Sequence, residues 1–262
     1  MSLSLVDSHC HLNMLEFDKL GGDLDQVMHT AAQQGVGYML CVSVDLATLP
    51  QVLAAAERHA HVFASVGVHP NHPEGEEPSA ERLVALANHP KVIAIGETGL
   101  DYYRSEGDLA WQRERFRRHI AAAKRCGKPL IIHCRDAKDD TLRVLREERA
   151  DEIGGVMHCF VEDWPTAQAC LDLNLYISFS GIVTFKSAET LREVARRMPL
   201  ERMLVETDSP YLAPIPYRGK TNQPAYVRQV AEQIAAVRGE SVERIAEATT
   251  ENFFRLFCAA SH

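Results

Sequence analysis

The feature that most limits the fold of this chain is the alternation of eight short apolar, β-branched segments with amphipathic helical patterns. The predicted strands are Leu3–Asp7, Gly37–Val44, Val62–Val68, Val92–Gly96, Pro129–His133, Gly155–His158, Leu175–Ser178 and Met203–Glu206. The helical patterns between them lie at Leu24–Gln34, Leu46–His59, Ala80–Ala87, Asp108–Cys126, Asp139–Arg149, Trp164–Leu173 and Ala188–Met198. Eight strands joined by crossover helices within 262 residues predict an α/β fold of the (β/α)8 TIM-barrel type.

A doubly wound open sheet is the main alternative fold. Such a sheet usually carries a glycine-rich phosphate loop after an early strand, and this sequence contains none. Three further helical patterns follow the eighth strand, at Pro224–Arg238, Val242–Thr249 and Glu251–Cys258. Because no linker, low-complexity segment or repeat interrupts the chain, we expect residues 1–262 to form a single barrel domain with extra C-terminal helices.

The composition argues against several classes of protein. Hydrophobic residues make up 46% of the chain, which is enough for a large core. No apolar run reaches the roughly 18 residues of a membrane span, and the start of the chain lacks the pattern of a secretory signal. The seven cysteines form an odd set, which favours reduced thiols and a cytoplasmic location.

The net charge of −8 does not fit a protein that coats nucleic acid with a basic surface. A phosphate-bearing substrate is still compatible with this charge, because bound divalent cations would be the largest positive charges in a site. One basic cluster is interpreted as the solvated face of a helix, with electrostatic steering of a substrate as the alternative; its members are Arg113, Arg115, Arg117, Arg118, Lys124 and Arg125.

Metal-ligating side chains recur where the predicted strands end. His9 and His11 are two residues apart, so their side chains are expected to project to the same side. Because the C-terminal ends of barrel strands meet at one mouth, the side chains at these ends should converge. The residues at these positions are His9, His11, His69, Glu97, His133, His158 and Asp208.

Any one of these residues alone would be better explained as a turn cap or a buried structural histidine. Four of these histidines (all except His69) and the two carboxylates form a set at equivalent strand ends, however, and buried ionisable groups need partners or a metal. Such a set suits two divalent ions, with one carboxylate bridging and some positions left for water and substrate. Imidazole ligands favour Zn²⁺, Mn²⁺, Ni²⁺ or iron at rest, with Mg²⁺ able to support activity. Strand alternation turns the adjacent Cys10, Cys134 and Cys159 away from the barrel axis, so we exclude them as ligands.

Several short motifs occur together in this chain. They are His9-Cys10-His11, Gly67-Val68-His69-Pro70, Gly96-Glu97-Thr98-Gly99-Leu100-Asp101-Tyr102-Tyr103, Ile132-His133-Cys134-Arg135, Met157-His158-Cys159-Phe160, Glu206-Thr207-Asp208-Ser209-Pro210 and Asn252-Phe253-Phe254-Arg255-Leu256-Phe257. As a set they resemble the signature of the TatD family, whose members are metal-dependent hydrolases with a TIM-barrel fold and are described as deoxyribonucleases. The resemblance covers nearly the whole chain.

The resemblance implies two sets of metal ligands. The first set is His9, His11, Glu97 and Asp208. Glu97 would bridge to a second metal, which His133 and His158 would complete. Related amidohydrolases often bridge their metals with a modified lysine on a barrel strand, and Glu97 at the strand-four position favours the nuclease-like branch.

Asp208 and Glu97 are the predicted catalytic residues, Asp208 acting as general base as well as ligand. The predicted substrate-binding residues are His69, Asp101, Tyr102, Arg135 and Arg218. The guanidinium of Arg135 could grip a phosphate, with a salt bridge at the rim as the alternative. Asp7 and Glu206 share strand parity with the ligands and could orient a ligand imidazole or simply fill the barrel.

The function expected from these residues is two-metal hydrolysis of phosphodiesters in DNA, trimming single strands from an end with a metal-activated water. Four aromatic residues could stack on bases, with packing in the core or at the rim as the alternative for each: Tyr102, Tyr103, Phe160 and Tyr211. An alternative keeps the metals but hydrolyses an ester or amide, for example at an aminoacylated RNA end. A third hypothesis is a metal-dependent scaffold that has lost catalysis. No membrane association and no obligate protein partner are expected.

Overall fold

The computed structural model describes residues 4–260 and contains eight parallel strands in one sheet, in sequential order. The strands are β1 Leu5–Cys10, β2 Val36–Cys41, β3 Val62–Val66, β4 Val92–Asp101, β5 Leu130–Arg135, β6 Gly155–Met157, β7 Leu175–Phe179 and β8 Met203–Val205. This arrangement confirms the predicted (β/α)8 barrel. The predicted start of the first strand at Leu3 lies outside the described residues.

Ten α-helices accompany the strands within the described residues. They are α1 Phe17–Leu20, α2 Leu24–Gln33, α3 Leu49–Arg58, α4 Ala80–Ala87, α5 Ala110–Cys126, α6 Lys138–Glu147, α7 Trp164–Asp172, α8 Glu189–Arg197, α9 Val227–Arg238 and α10 Val242–Leu256. Side-chain caps fix several starts: Asp23, Ser79, Asp163 and Ser241 each accept a hydrogen bond from a backbone N–H in the first turn. None of these helices combines the length and the apolar character that crossing a membrane requires.

The ends of β1 and β8 meet where the barrel closes. The Asp208 N–H donates to the His9 carbonyl, and the His11 N–H donates to the Ser209 carbonyl, both at 2.9 Å. Deeper in the barrel, Thr207 donates its N–H and its hydroxyl to the two carboxylate oxygens of Asp7. The closure therefore places the metal-ligating residues of the first strand directly beside those that follow the last.

The opposite end of the barrel is covered by α10. Phe253 and Phe257 belong to a buried cluster that takes at least one residue from each of the eight strands, which only the barrel interior can bring together. The Asn252 amide donates to the carbonyls of Leu200 and Met203, at the entry to β8. The C-terminal helices expected from the sequence are thus present, and the last of them seals the barrel.

The prediction of two separate helices in the region of α10 was wrong. The break was placed at Thr250, but the helix runs without interruption from Val242 to Leu256. The neighbouring Thr249 returns its hydroxyl to the Ile245 carbonyl at 2.9 Å, which lets a β-branched polar residue remain inside a helix.

Strand β4 extends five residues beyond the predicted end at Gly96, to Asp101. Its later half pairs with β5 from Thr98 opposite Ile132 to Asp101 opposite Arg135, after an irregularity in the register. The extension carries Asp101 to the side of His133, which becomes important at the site described next.

Candidate metal centre

His9 and His11 lie at the end of β1 and are both buried. The Nδ1 of His11 lies 3.0 Å from the Val42 carbonyl, so Nδ1 carries a proton and Nε2 is the nitrogen that faces His9 and Asp208. The Nε2 atoms of the two rings lie 3.3 Å apart. Asp208 Oδ1 lies 3.3 Å from the Nε2 of His11 and 3.8 Å from that of His9. These three side chains therefore point into one small volume.

The loop after β8 holds Asp208 in place. Asp208 adopts a positive φ of 55°, and the Asn222 side chain donates to the carbonyl of the preceding residue, Thr207, at 2.9 Å. Asn222 is fully buried. An Asp tolerates the left-handed conformation better than most residues do, so the turn is compatible with a carboxylate that faces the histidines.

Glu97 lies at the centre of the cluster. One of its oxygens, Oε2, lies 3.4 Å from His9 Nε2 and 3.9 Å from His11 Nε2. The other, Oε1, lies 2.8 Å from His158 Nε2 and 3.1 Å from His133 Nδ1. The two oxygens are thus divided between two pairs of histidines.

Gly96 lets Glu97 reach this position. Its φ is 150°, and a Cβ built on it would lie 2.6 Å from the Ile131 carbonyl oxygen. A Cβ on Gly67 of the neighbouring loop would in turn lie 2.5 Å from the Gly96 carbonyl carbon. Three chain segments therefore approach closely beside Glu97, and side chains at the two glycines would force them apart.

The pKa shifts follow from the mixing of carboxylates and imidazoles. Burial alone raises the pKa of Glu97, but the charges and hydrogen bonds of the surrounding histidines outweigh it and hold the pKa well below its usual range. The pKa of Asp208 is likewise lowered, because the histidines, His11 above all, outweigh burial. In His158, Glu97 and Glu206 outweigh burial and raise the pKa well above its ordinary value. The two carboxylates are therefore ionised at neutral pH.

The donor set fits divalent metal ions. Three groups of side chains bring donor atoms within 4.8 Å of one another: His9, His11 and Asp208; His69, Glu97 and His133; and His9, His158 and Glu206. Buried imidazole and carboxylate donors in this mixture suit Zn²⁺, Mn²⁺, Ni²⁺ or iron. Two buried atoms near the cluster, His9 Nδ1 and Glu206 Oε2, have no hydrogen-bond partner among the described residues.

Comparison with known proteins identifies the family of this chain. The profile of the family described as TatD related DNase matches residues 6–258.

The chain belongs to the TatD family.

Two relatives show the range of names within the TatD family. The metal-dependent hydrolase YcfH of Escherichia coli K12 is 51% identical over 257 residues, which cover 97% of this chain and 95% of YcfH. A protein of Salmonella typhimurium LT2 named 3'-5' ssDNA/RNA exonuclease TatD is 35% identical, over 97% of this chain and 98% of its own length. The chain is thus a metal-dependent hydrolase of this family.

A solved TatD-family structure supports the fold. The TatD homologue YjjV of Escherichia coli K12 superposes with a TM-score of 0.89 at 30% identity, covering 98% of this chain and 99% of YjjV.

Two buried carboxylates contact the histidines of this TatD-family site from behind. Asp101 Oδ2 lies 3.1 Å from His133 Nε2 and accepts a hydrogen bond from Asn71, while Oδ1 accepts the N–H groups of Tyr103 and Arg104. Glu206 Oε1 lies 3.3 Å from the Nδ1 of His158. Each carboxylate leaves the other nitrogen of its imidazole facing Glu97, as in many sites where a carboxylate orients a ligand histidine.

The residues predicted to contact substrate lie at different depths. His69 is inside the cluster, with Nε2 at 3.3 Å from Glu97 Oε1, and Asp101 is buried. The Tyr102 hydroxyl donates to Asp140 at 2.6 Å and faces a groove outside the cluster. The guanidinium of Arg135 stacks on Tyr103 at 3.9 Å, and Arg218 is exposed above Phe185, also at 3.9 Å. The prediction that Phe160 could stack on a base was wrong, because its side chain is buried.

The interpretation of the basic cluster was wrong for Arg115. This residue is buried, because its guanidinium forms an ion pair with Glu77 and donates to the carbonyls of His69 and His72. The neighbouring Gln112, which sequence reasoning missed, exchanges hydrogen bonds with the backbone of Asp101. The sequence shows only that Gln112 and Arg115 are three residues apart, which places them on the same face of a helix. This spacing does not reveal their hydrogen-bond partners.

The excluded cysteines do not join the cluster. Cys10 Sγ lies 3.4 Å from the Leu40 carbonyl and Cys159 Sγ lies 3.2 Å from the Ser180 hydroxyl. Cys134 packs beside the hydrophobic core between barrel and helices. Within the described residues, all seven cysteines are free thiols.

Proposed function

We propose that this chain is a two-metal deoxyribonuclease that shortens single-stranded DNA from an end. The observation that carries the proposal is the divided carboxylate of Glu97, whose two oxygens each lie between two histidines. A carboxylate in this position suits two ions a few ångströms apart, which is the arrangement used for in-line displacement at phosphorus.

The ligand sets follow the two sides of Glu97. His9, His11 and Asp208 would hold one ion with Oε2, and His133 and His158 would hold the other with Oε1. When bound, the ions would supply Lewis-acid activation of a water and neutralise charge on the phosphate. The buried Asp101 and Glu206 would keep His133 and His158 in orientation.

The remaining roles follow from which side chains reach solvent. The side chain of Asp208 is 14% exposed, whereas those of His9 and Glu97 are 3% exposed or less. Asp208 can therefore accept a proton from an attacking water at the open side of the cluster. His69 lies at the same open side, with its side chain 15% exposed, and would face the phosphate. Arg135, two residues beyond His133, would bind a neighbouring phosphate.

Two observations favour single-stranded nucleic acid as substrate. The site lies within the mouth of a barrel, which admits a strand end more readily than the middle of a rigid duplex. In addition, a relative that matches over nearly its whole length bears the name 3'-5' ssDNA/RNA exonuclease TatD.

The test is digestion of end-labelled single-stranded DNA with added Mn²⁺ by the wild type and by Glu97→Gln. We expect stepwise shortening by the wild type, abolished by a chelator, and a loss of about a hundredfold or more in Glu97→Gln because a neutral amide cannot bridge two cations. Glu189→Gln, at an exposed position of α8, is the matched control and should retain activity.

Two outcomes would contradict the proposal. Equal digestion by wild type and Glu97→Gln would place the activity elsewhere. A wild type that binds two ions per chain and hydrolyses an aminoacyl ester, but leaves DNA intact, would favour the ester or amide hydrolase instead.

A further inference from the structure

The large apolar side chains exposed on this protein are concentrated at one end. Among the residues that the structure describes, they all lie on loops that follow the C-terminal ends of strands: Met14, Tyr103, Val161, Tyr211 and Ile215. None lies on the helices that surround the barrel or at the end covered by α10. An exposed apolar surface restricted to the mouth of a site points to a ligand that covers it.

Two of these five exposed residues are aromatic, and they lie on opposite sides of the mouth. Tyr103 follows β4 and Tyr211 follows β8, and these strands are four places apart in an eight-stranded barrel. Tyr103 is 63% exposed and Tyr211 is 51% exposed. A ligand that enters between these two loops would meet an aromatic ring on either side of the candidate metal centre.

The backbone of each tyrosine is fixed to the metal site. The Tyr103 N–H donates to Asp101, whose other oxygen contacts His133. The Tyr211 N–H donates to the Asp208 carbonyl at 3.0 Å, and its own carbonyl accepts the buried Asn222 amide. Both rings are therefore presented to solvent by rigid segments, one hydrogen bond away from a candidate ligand or its orienting carboxylate.

Each ring also lies beside a group suited to a phosphodiester. The guanidinium of Arg135 stacks on Tyr103, so a cation accompanies the aromatic face on that side. The Tyr211 ring lies 6.3 Å from that of His11, at the edge of the metal cluster. By contrast, a neighbouring groove of about 470 Å³ has four carboxylates and one cation, Lys138, in its lining, so its negative charge disfavours a phosphate; the carboxylates are those of Asp136, Asp139, Asp140 and Glu162.

We propose that Tyr103 and Tyr211 are stacking platforms for the unpaired bases on either side of the scissile phosphate. This proposal rests on the proposed function and specifies how the substrate is recognised. Stacking on an aromatic ring accepts any base but needs the base to be unstacked from its neighbours. The two platforms would therefore select single strands without selecting a sequence, although the protein is acidic overall.

The experiment compares Tyr103→Ser and Tyr211→Ser with the wild type on two substrates. One is a labelled oligothymidylate, and the other is methyl p-nitrophenyl phosphate, a diester without a nucleobase. We expect the ratio of kcat/KM for the oligonucleotide to kcat/KM for the small diester to fall about tenfold in each variant, mainly through KM. Tyr103→Phe and Tyr211→Phe should restore the ratio, because they keep the ring.

An abasic residue tests the base itself. With an abasic nucleotide next to the scissile bond, the kcat/KM of the wild type should fall as much as a Tyr→Ser substitution lowers it on the intact oligonucleotide. The Ser variant whose missing ring would face that nucleotide should show no further fall in kcat/KM. Ile215→Ser removes an exposed apolar side chain from the same end of the barrel without removing an aromatic ring. It should leave the ratio of the two kcat/KM values unchanged.

The outcomes separate this proposal from the proposed function. If the wild type shortens DNA but the Ser variants keep the wild-type ratio, the proposed stacking role of the tyrosines is wrong, whereas the proposed deoxyribonuclease function stands. If the wild type hydrolyses only the small diester, the nuclease is wrong. If light scattering shows that the wild type is a dimer and the Ser variants are monomers, the tyrosines contact a second copy of the chain, which also overturns the proposal.

Discussion

At the scale of single residues, the carboxylate of Asp101 shows how a side chain outside the ligand set can shape the site. It accepts hydrogen bonds from Asn71 and from two backbone N–H groups, and it contacts His133 Nε2. Burial raises its pKa, but these hydrogen bonds and the charge of His133 outweigh burial and lower it. An ionised Asp101 keeps the proton of His133 on Nε2 and leaves Nδ1 free to face Glu97.

Asp101→Asn is expected to weaken metal binding by roughly 10- to 100-fold, because an amide no longer fixes the orientation and basicity of His133. Titration with Mn²⁺ against a competing chelator would measure this change. Asp139→Asn, at an exposed position in the first turn of α6, removes the same charge and should bind metal as the wild type does. An unchanged affinity in Asp101→Asn would show that His133 is oriented by other contacts.

At the scale of elements, α5 connects the loop that carries His69 with the end of β4 at Asp101. One buried face of this helix presents Gln112, Arg115 and His119, at successive turns. The first two bind the backbones at Asp101 and His69, and His119 Nε2 accepts the Val68 N–H at 3.0 Å. A single helix thereby holds the loops after β3 and β4 in fixed positions relative to the cluster.

His119 should make stability depend on pH. Burial lowers its pKa to about 4, whereas an unfolded histidine has a pKa of about 6.5. The unfolded state therefore binds a proton that the folded state does not, and the contribution of neutral His119 is complete above about pH 6.5 and is lost as the pH falls towards 4.

Between pH 7 and pH 5, the free energy of unfolding of the wild type should fall by about 2 kcal/mol more than that of His119→Gln, because only the wild type carries this buried neutral histidine. Urea unfolding at the two pH values would measure the difference. His29→Gln, at an exposed position of α2, should follow the wild-type profile. Parallel profiles for the wild type and His119→Gln would show that folding does not lower the pKa of His119.

The sequence predicted those parts of the structure that depend on local pattern. The positions of His9, His133 and Asp208 followed from the ends of apolar segments, because a barrel gathers all such ends at one mouth. Arg115 could not be assigned in this way, since its burial depends on where Glu77 and the loop carbonyls lie in space. Likewise, the length of β4 depends on pairing with β5 beyond Gly96, and the uninterrupted α10 depends on the barrel that it covers.

At the scale of the whole molecule, the candidate metal centre joins segments from the beginning, middle and end of the chain. His9, Glu97 and Asp208 come from β1, β4 and the loop after β8, and α10 packs against β1 and β8 at the far end. We propose on this basis that residues 1–262 form one domain, because separating either end of the chain from the rest would open the barrel.

Metal binding should therefore stabilise the molecule as a whole. Excess Mn²⁺ at about 100 times its Kd adds about 2.7 kcal/mol to the free energy of unfolding, which corresponds to a rise in Tm of roughly 5–10 °C for a chain of this size. Calorimetry with Mn²⁺ and with EDTA would measure the difference. Glu97→Gln should show a much smaller shift, and an equal shift in that variant would mean that the stabilising ion binds elsewhere.

The pairing of the first strand with the last has a consequence for the making of the protein. Asp7 and Thr207, which hydrogen-bond across the closure, are 200 residues apart, and a ribosome adding about 5–20 residues per second needs roughly 10–40 s to span that interval. Throughout this time the nascent chain carries His9 and His11 but neither Asp208 nor the helix that covers the barrel. The set of candidate ligands is therefore complete only after residue 208 has been added, and a chain terminated before that residue lacks the carboxylate that would accept the proton.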